Sequence, residues 1–186
     1  FAQAQLDAPS RWVNDQPESS DTGGRLFTDR YLWRTHEDVR AFAFESGVAG
    51  LVGQLMGSHT ARLYFDHLLI KEPRTLAPTP WHQDAPYWPF QGRQIASAWV
   101  ALTDASVEGS AMEFVRGSHR DGRVYRPEVF GSADKNGSAS WQNKSEAERV
   151  PAIEADRSAF DITGWDMRAG DAVVFSAWVL HGARGN

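Results

Sequence analysis

Six histidines, fourteen aspartates and no cysteine leave imidazole and carboxylate as the strong metal ligands of this 186-residue chain. The same absence removes disulfides, thiolate sites and cysteine nucleophiles. Chance pairing of these residues predicts about 0.45 His-x-Asp pairs, and the chain has three: His36/Asp38, His82/Asp84 and His119/Asp121. Context separates them. His36 and Asp38 follow Thr35 at an expected helix start, where capping and the helix dipole account for the acid. His119 and Asp121 sit in a polar turn between Gly117 and Gly122, which points to turn stabilisation. His82 and Asp84 lie in Pro80-Trp81-His82-Gln83-Asp84-Ala85-Pro86-Tyr87-Trp88, a proline-bounded segment crowded with aromatics.

On an extended segment, side chains two apart share a face, so His82 and Asp84 can grip one ion while Gln83 points away. A third ligand must come from elsewhere. His181, 97 residues after Asp84, ends the apolar run 173–180 and is one candidate; His67 is its rival. Two histidines and one carboxylate leave three positions of an octahedral iron open on one face, enough for a chelating cosubstrate and O2 together. The same ligand set also suits a zinc hydrolase, with three protein ligands and a water. A non-catalytic jelly-roll binding protein with a structural metal, or none, is the third class.

The elements that must position these residues are mostly short strands. Residues 1–30 are polar and without period, and read as an extended lead-in. Thr35 is expected to cap a short helix carrying Val39, Phe42 and Ala43, and a second helix is expected over 48–56, ending at Gly57. From Arg62 onward the apolar runs 63–65, 68–70, 95–102, 112–115, 160–163 and 172–175, the last leading into Val179 and Leu180, are bounded by Gly, Pro, Asp and Ser. That pattern predicts a mainly β jelly-roll with short flanking N-terminal helices. The Ser-, Asn- and Gly-rich stretch 131–148 is expected to be a mobile loop beside the barrel mouth.

A net charge of −5, a pI near 5.7 and no run of Lys or Arg argue against nucleic-acid or basic membrane partners and leave a small molecule. Eight Trp and ten Phe suggest an apolar pocket, with Trp81, Trp88, Phe90 and Trp178 as candidate lining. No apolar stretch approaches the ~18 residues of a membrane span, so a soluble cytoplasmic protein is expected, with oligomeric state unspecified. Length predicts one catalytic domain over 1–186. The chain opens on Phe1 without Met, and parts of both natural termini are expected to lie outside it.

The blocks His67-Leu68-Leu69-Ile70-Lys71-Glu72-Pro73, Pro80-Trp81-His82-Gln83-Asp84, Tyr87-Trp88-Pro89-Phe90 and Ala98-Trp99-Val100-Ala101-Leu102 resemble the phytanoyl-CoA dioxygenase family. So do Glu108-Gly109-Ser110, Gly117-Ser118-His119, 170–175 and Leu180-His181-Gly182, in the family's order. The resemblance implies a double-stranded β-helix, Fe(II) on His82, Asp84 and His181, and 2-oxoglutarate and O2 as cosubstrates. It implies further that Trp99 lies beside the 2-oxoglutarate, Leu68 lines its pocket and Tyr87 stands at the active-site wall. The implied reaction is hydroxylation of a small organic substrate with release of succinate and CO2. Asp84 argues against a halogenase, which in related sites needs a small residue there. Two features depart from the family. Ala183 replaces a small hydroxyl residue, and the Arg that anchors the far carboxylate of 2-oxoglutarate is expected about ten positions after His181, beyond Asn186. Arg184 is in the wrong register to replace it.

Overall fold

Two hydrogen-bonded carboxylates, Asp29 and Asp66, organise the first of two compact units, Phe1–Leu76 with Asn186. The computed structural model describes residues 1–17, 24–75, 78–127 and 147–186. Strands β1 (Asn14–Pro17), β2 (Arg25–Arg30) and β3 (His67–Lys71) form an antiparallel sheet in that order. Asp29, on β2, is fully buried; it accepts hydrogen bonds from Gln5 Nε2 (2.7 Å), from Ser10 through N and Oγ, and from Arg30 N (2.8 Å). Those bonds tie α1 (Ala2–Asp7) to the sheet. Asp66 accepts from the N–H groups of Leu32 and Trp33, at 3.1 and 3.0 Å, and so caps the 3-10 turn Leu32–Arg34. Phe27, Leu32 and Leu68 are the unit's buried apolar core.

The described residues of this lead-in, 1–17 and 24–30, are therefore held by α1, β1 and β2 and are not simply extended, because Asp29 supplies a polar anchor that apolar periodicity does not reveal. Helix α2 (Glu37–Glu45) starts one residue later than expected. His36 is its N-cap without a side-chain bond, while Thr35 Oγ1 turns back to the Leu32 carbonyl at 3.4 Å. Helix α3 spans Val48–Met56, as expected. Gly57 adopts the left-handed conformation (φ 61°), and the Gly57 and Ser58 N–H groups close back on Gln54 and Gly53. The run 63–65 is not a strand. Among the described residues no helix is long and apolar enough to cross a membrane.

Among its described residues, the second unit, Ala77–Gly185, holds six short strands: β4 (Thr79–His82), β5 (Ala96–Val100), β6 (Met112–Val115), β7 (Ile162–Gly164), β8 (Ala172–Ser176) and β9 (His181–Ala183). They form two antiparallel sheets, β4-β9-β6-β7 and β5-β8. Sequence-distant strands are neighbours in both, consistent with the expected jelly-roll and unlike a meander of successive hairpins. The apolar run 172–180 is not one strand. β8 ends at Ser176, the Val179 N–H bonds the Ser176 carbonyl at 3.0 Å, and the chain then joins the other sheet as β9. Residues 131–146 of the expected loop lie outside the described residues.

Candidate metal centre

β4 and β9 bring the two histidines together. Their register pairs His82 directly with His181, and Thr79 with Ala183. Between those pairs β4 has one residue more than β9, a bulge, and such bulges re-aim side chains. Partners in an antiparallel pair point to one face, and the next pairing across the sheet, Phe114 with His181, extends the row. The imidazole centroids are 4.1 Å apart. Gly182 allows the close approach, since a Cβ there would stand 3.0 Å from the Thr79 carbonyl oxygen and 3.3 Å from Trp81 Cδ2.

Asp84, two residues after His82, sends Oδ1 to 3.5 Å from His82 Nε2 and 3.6 Å from His181 Nε2. One donor atom from each residue lies within 4.8 Å of the others, and this is the metal-capable group of His and carboxylate residues among those described. His82 Nδ1 lies 2.8 Å from the Pro80 carbonyl and His181 Nδ1 lies 3.0 Å from the Val179 carbonyl. A carbonyl only accepts, so each Nδ1 carries the proton and each Nε2 presents a lone pair. Burial, then the neighbouring His181, lowers the His82 pKa below that of free imidazole. Two lone pairs and a carboxylate oxygen thus converge in a half-dry site. They repel one another unless a cation lies among them, and this donor set fits a divalent transition metal.

Neighbouring residues fix the ligands. Ser97 Oγ donates to Asp84 Oδ2 at 2.6 Å. Gln83 is 2% exposed and turned away from the ligands. Its Nε2 donates to the carbonyls of Arg123 (3.0 Å) and Trp178 (2.9 Å), and its Oε1 accepts from Tyr125 N (3.0 Å). Ser118 accepts from Leu180 N and donates to the Val115 carbonyl, both at 2.8 Å, bracing the residue before His181. Phe175 packs 4.8 Å from the His181 ring, and Tyr87 stands edge-on to His82 at 5.8 Å.

The other candidates fall elsewhere. Trp99 is half-buried on the same face of β5 as Ser97 and packs against Ala101, Ala111 and Met167. Leu68 belongs to the core of the first unit. His67 is exposed on β3. The exposed His119 lies in a 3-10 turn, and Asp121 accepts from Arg123 N, the turn role expected. Trp81 points away from His82, packs with Val115, Tyr125, Ile153 and Leu180, and donates to Glu154 at 2.7 Å, so it is core and not pocket lining. Arg184 donates to the buried Glu113 at 3.3 Å. Ser97, Gln83 and Ser118 were not expected as supports; Ser97 was detectable as the residue two before Trp99 on one strand face.

The family model of phytanoyl-CoA dioxygenases (PhyH) matches residues 2–186. The chain belongs to the phytanoyl-CoA dioxygenase family. Over 104 residues it is 31% identical to a 2-aminoethylphosphonate dioxygenase from uncultured bacterium HF130_AEPn_1, a match covering 55% of this chain and 38% of that one. Among solved structures it resembles the epimerase SnoN in complex with Fe3+, alpha ketoglutarate and nogalamycin RO, with 26% identity and a TM-score of 0.67. It also resembles the non-heme alpha ketoglutarate dependent carbocyclase SnoK from nogalamycin biosynthesis, with 22% identity and a TM-score of 0.69; that likeness speaks for the fold. Both matches cover all of this chain and 65% of the other, so this family member spans less than two thirds of these relatives' length.

Proposed function

We propose that this member of the phytanoyl-CoA dioxygenase family is a non-haem Fe(II), 2-oxoglutarate-dependent dioxygenase that hydroxylates a small organic molecule and releases succinate and CO2. The observation that carries the proposal is the convergence of His82 Nε2, His181 Nε2 and Asp84 Oδ1, with both Nδ1 protons engaged elsewhere. When bound, Fe(II) supplies the redox chemistry that couples decarboxylation of 2-oxoglutarate to oxidation of substrate by O2. The family match, and a solved relative that holds Fe3+ and alpha ketoglutarate, support that choice of metal and cosubstrate.

In this reading His82 and His181 are neutral ligands whose orientation is set by the Pro80 and Val179 carbonyls, and Asp84 neutralises one charge of the cation. Tyr87 and Phe175 flank the imidazoles and limit water at the ligand face. Trp99 shares a strand face with Ser97 and is assigned to the surroundings of 2-oxoglutarate, with Tyr87 at the wall. A cosubstrate role for Leu68 rests on the family resemblance alone. The net charge of −5 and the absence of a basic run favour a small-molecule substrate over nucleic acid or membrane.

A screen of small organic substrates with Fe(II), 2-oxoglutarate and O2, read by succinate formation and product mass, tests the proposal. It expects succinate in step with a product one oxygen heavier. Turnover with zinc and without O2 would mean a hydrolase, and no turnover with no 2-oxoglutarate binding would mean a binding protein.

A further inference from the structure

Asp84 uses its two oxygens differently. Oδ1 faces both imidazole Nε2 atoms at 3.5 and 3.6 Å, whereas Oδ2 accepts the Ser97 hydroxyl at 2.6 Å. That separation is typical of a charge-assisted O–H···O− bond, which is shorter and stronger than a bond between neutral groups. Ser97 comes from β5, in a different sheet from the histidines, and its backbone is held in register opposite Phe175 of β8. Phe175 in turn packs on the His181 ring. The carboxylate is thus gripped from both sheets, one oxygen turned to the histidines and the other to the serine.

We infer that Ser97 is a positioning residue that restricts Asp84 to a single coordinating oxygen and so preserves an open metal position for the cosubstrate. The inference rests on the metal-site reading above. A carboxylate can bind a metal through one oxygen or two. Three protein atoms leave three positions of an octahedral ion, two for a chelating 2-oxo acid and one for O2. Without the serine proton, Oδ2 is free to rotate toward the metal and take a fourth position. The protein then holds its metal and loses room for 2-oxoglutarate and O2 together. An ordinary structural hydrogen bond predicts no such split.

The test compares wild type, Ser97→Ala and Ser97→Thr in two anaerobic titrations, Fe(II) into apoprotein and then nitric oxide, standing in for O2, into the protein loaded with Fe(II) and 2-oxoglutarate. Loss of an outer partner to a metal ligand typically costs about 10- to 100-fold in metal affinity or activity. In Ser97→Ala a loss of that order is expected in nitric oxide affinity, because a fourth protein atom and a chelating 2-oxoglutarate fill all six positions, with iron affinity changed by less. Ser97→Thr keeps the hydroxyl on a strand that tolerates β-branching, and is expected to restore nitric oxide binding. Wild-type nitric oxide affinity in Ser97→Ala overturns the inference. So does an equal loss of iron and nitric oxide affinity that threonine does not rescue. Failure of wild type itself to bind iron instead overturns the metal-site reading on which the inference depends.

Discussion

Replacing Gln83 with leucine tests how the metal ligands are held. The side chain is 2% exposed and makes three hydrogen bonds, to the Arg123 and Trp178 carbonyls and from Tyr125 N. Each such bond contributes about 0.5–1.5 kcal/mol net, and a buried donor left without an acceptor costs about 1–3 kcal/mol. Leucine removes all three bonds and orphans the Tyr125 N–H, so we expect a loss of about 4 kcal/mol. For a chain of this size that lowers Tm by about 8–16 °C. Gln83 lies between His82 and Asp84, and Trp178 lies three residues before His181, so weaker Fe(II) binding should accompany the loss. Differential scanning calorimetry with anaerobic Fe(II) titration measures both. A Tm within about 2 °C of wild type, or unchanged iron affinity, would refute the reasoning.

His82→Ala, Asp84→Ala and His181→Ala should each abolish Fe(II)-dependent turnover, whereas His36→Ala should leave iron binding intact; isothermal titration of the four variants checks this. Gly182→Ala should weaken iron binding and lower Tm, because its Cβ would stand 3.0 Å from the Thr79 carbonyl oxygen and push β4 from β9. Burial would raise the Asp29 pKa, but hydrogen bonds from Ser10, Gln5 and Arg30 outweigh it and lower it below the usual carboxylate value. Its stabilisation is therefore full above the unfolded value near 4 and lost as pH falls through the lower folded pKa. Urea midpoints from pH 5 to pH 2 should fall less steeply in Asp29→Asn than in wild type, and parallel curves would contradict this.

Strands β5 to β8 were legible because their apolar runs are short and punctuated, and 112–115 coincides with β6, whereas β4 and β9, which carry the histidines, lie outside those runs. His82 and Asp84 stood out for the same local reason, an extended segment between prolines. What pairs His82 with His181 is a bulge and a glycine, Gly182, whose need appears only when β4 and β9 are laid side by side. The bonds from Ser97 to Asp84, from Gln83 to Trp178 and from Leu180 to Ser118 span 13 to 95 residues, which residue periodicity does not encode. Residues 1–17 and 24–30 were misread for a related reason. They are held by a buried carboxylate, Asp29, and not by an apolar stripe.

On the proposed reading, His82, Asp84 and His181 bind one Fe(II) that then takes 2-oxoglutarate. Anaerobic titration of the apoprotein with Fe(II), followed by 2-oxoglutarate and monitored by visible absorption, tests it most directly. One Fe(II) per chain is expected, with a charge-transfer band that grows with 2-oxoglutarate in wild type and is missing in Asp84→Ala. No band in wild type, or the same band in Asp84→Ala, would contradict it.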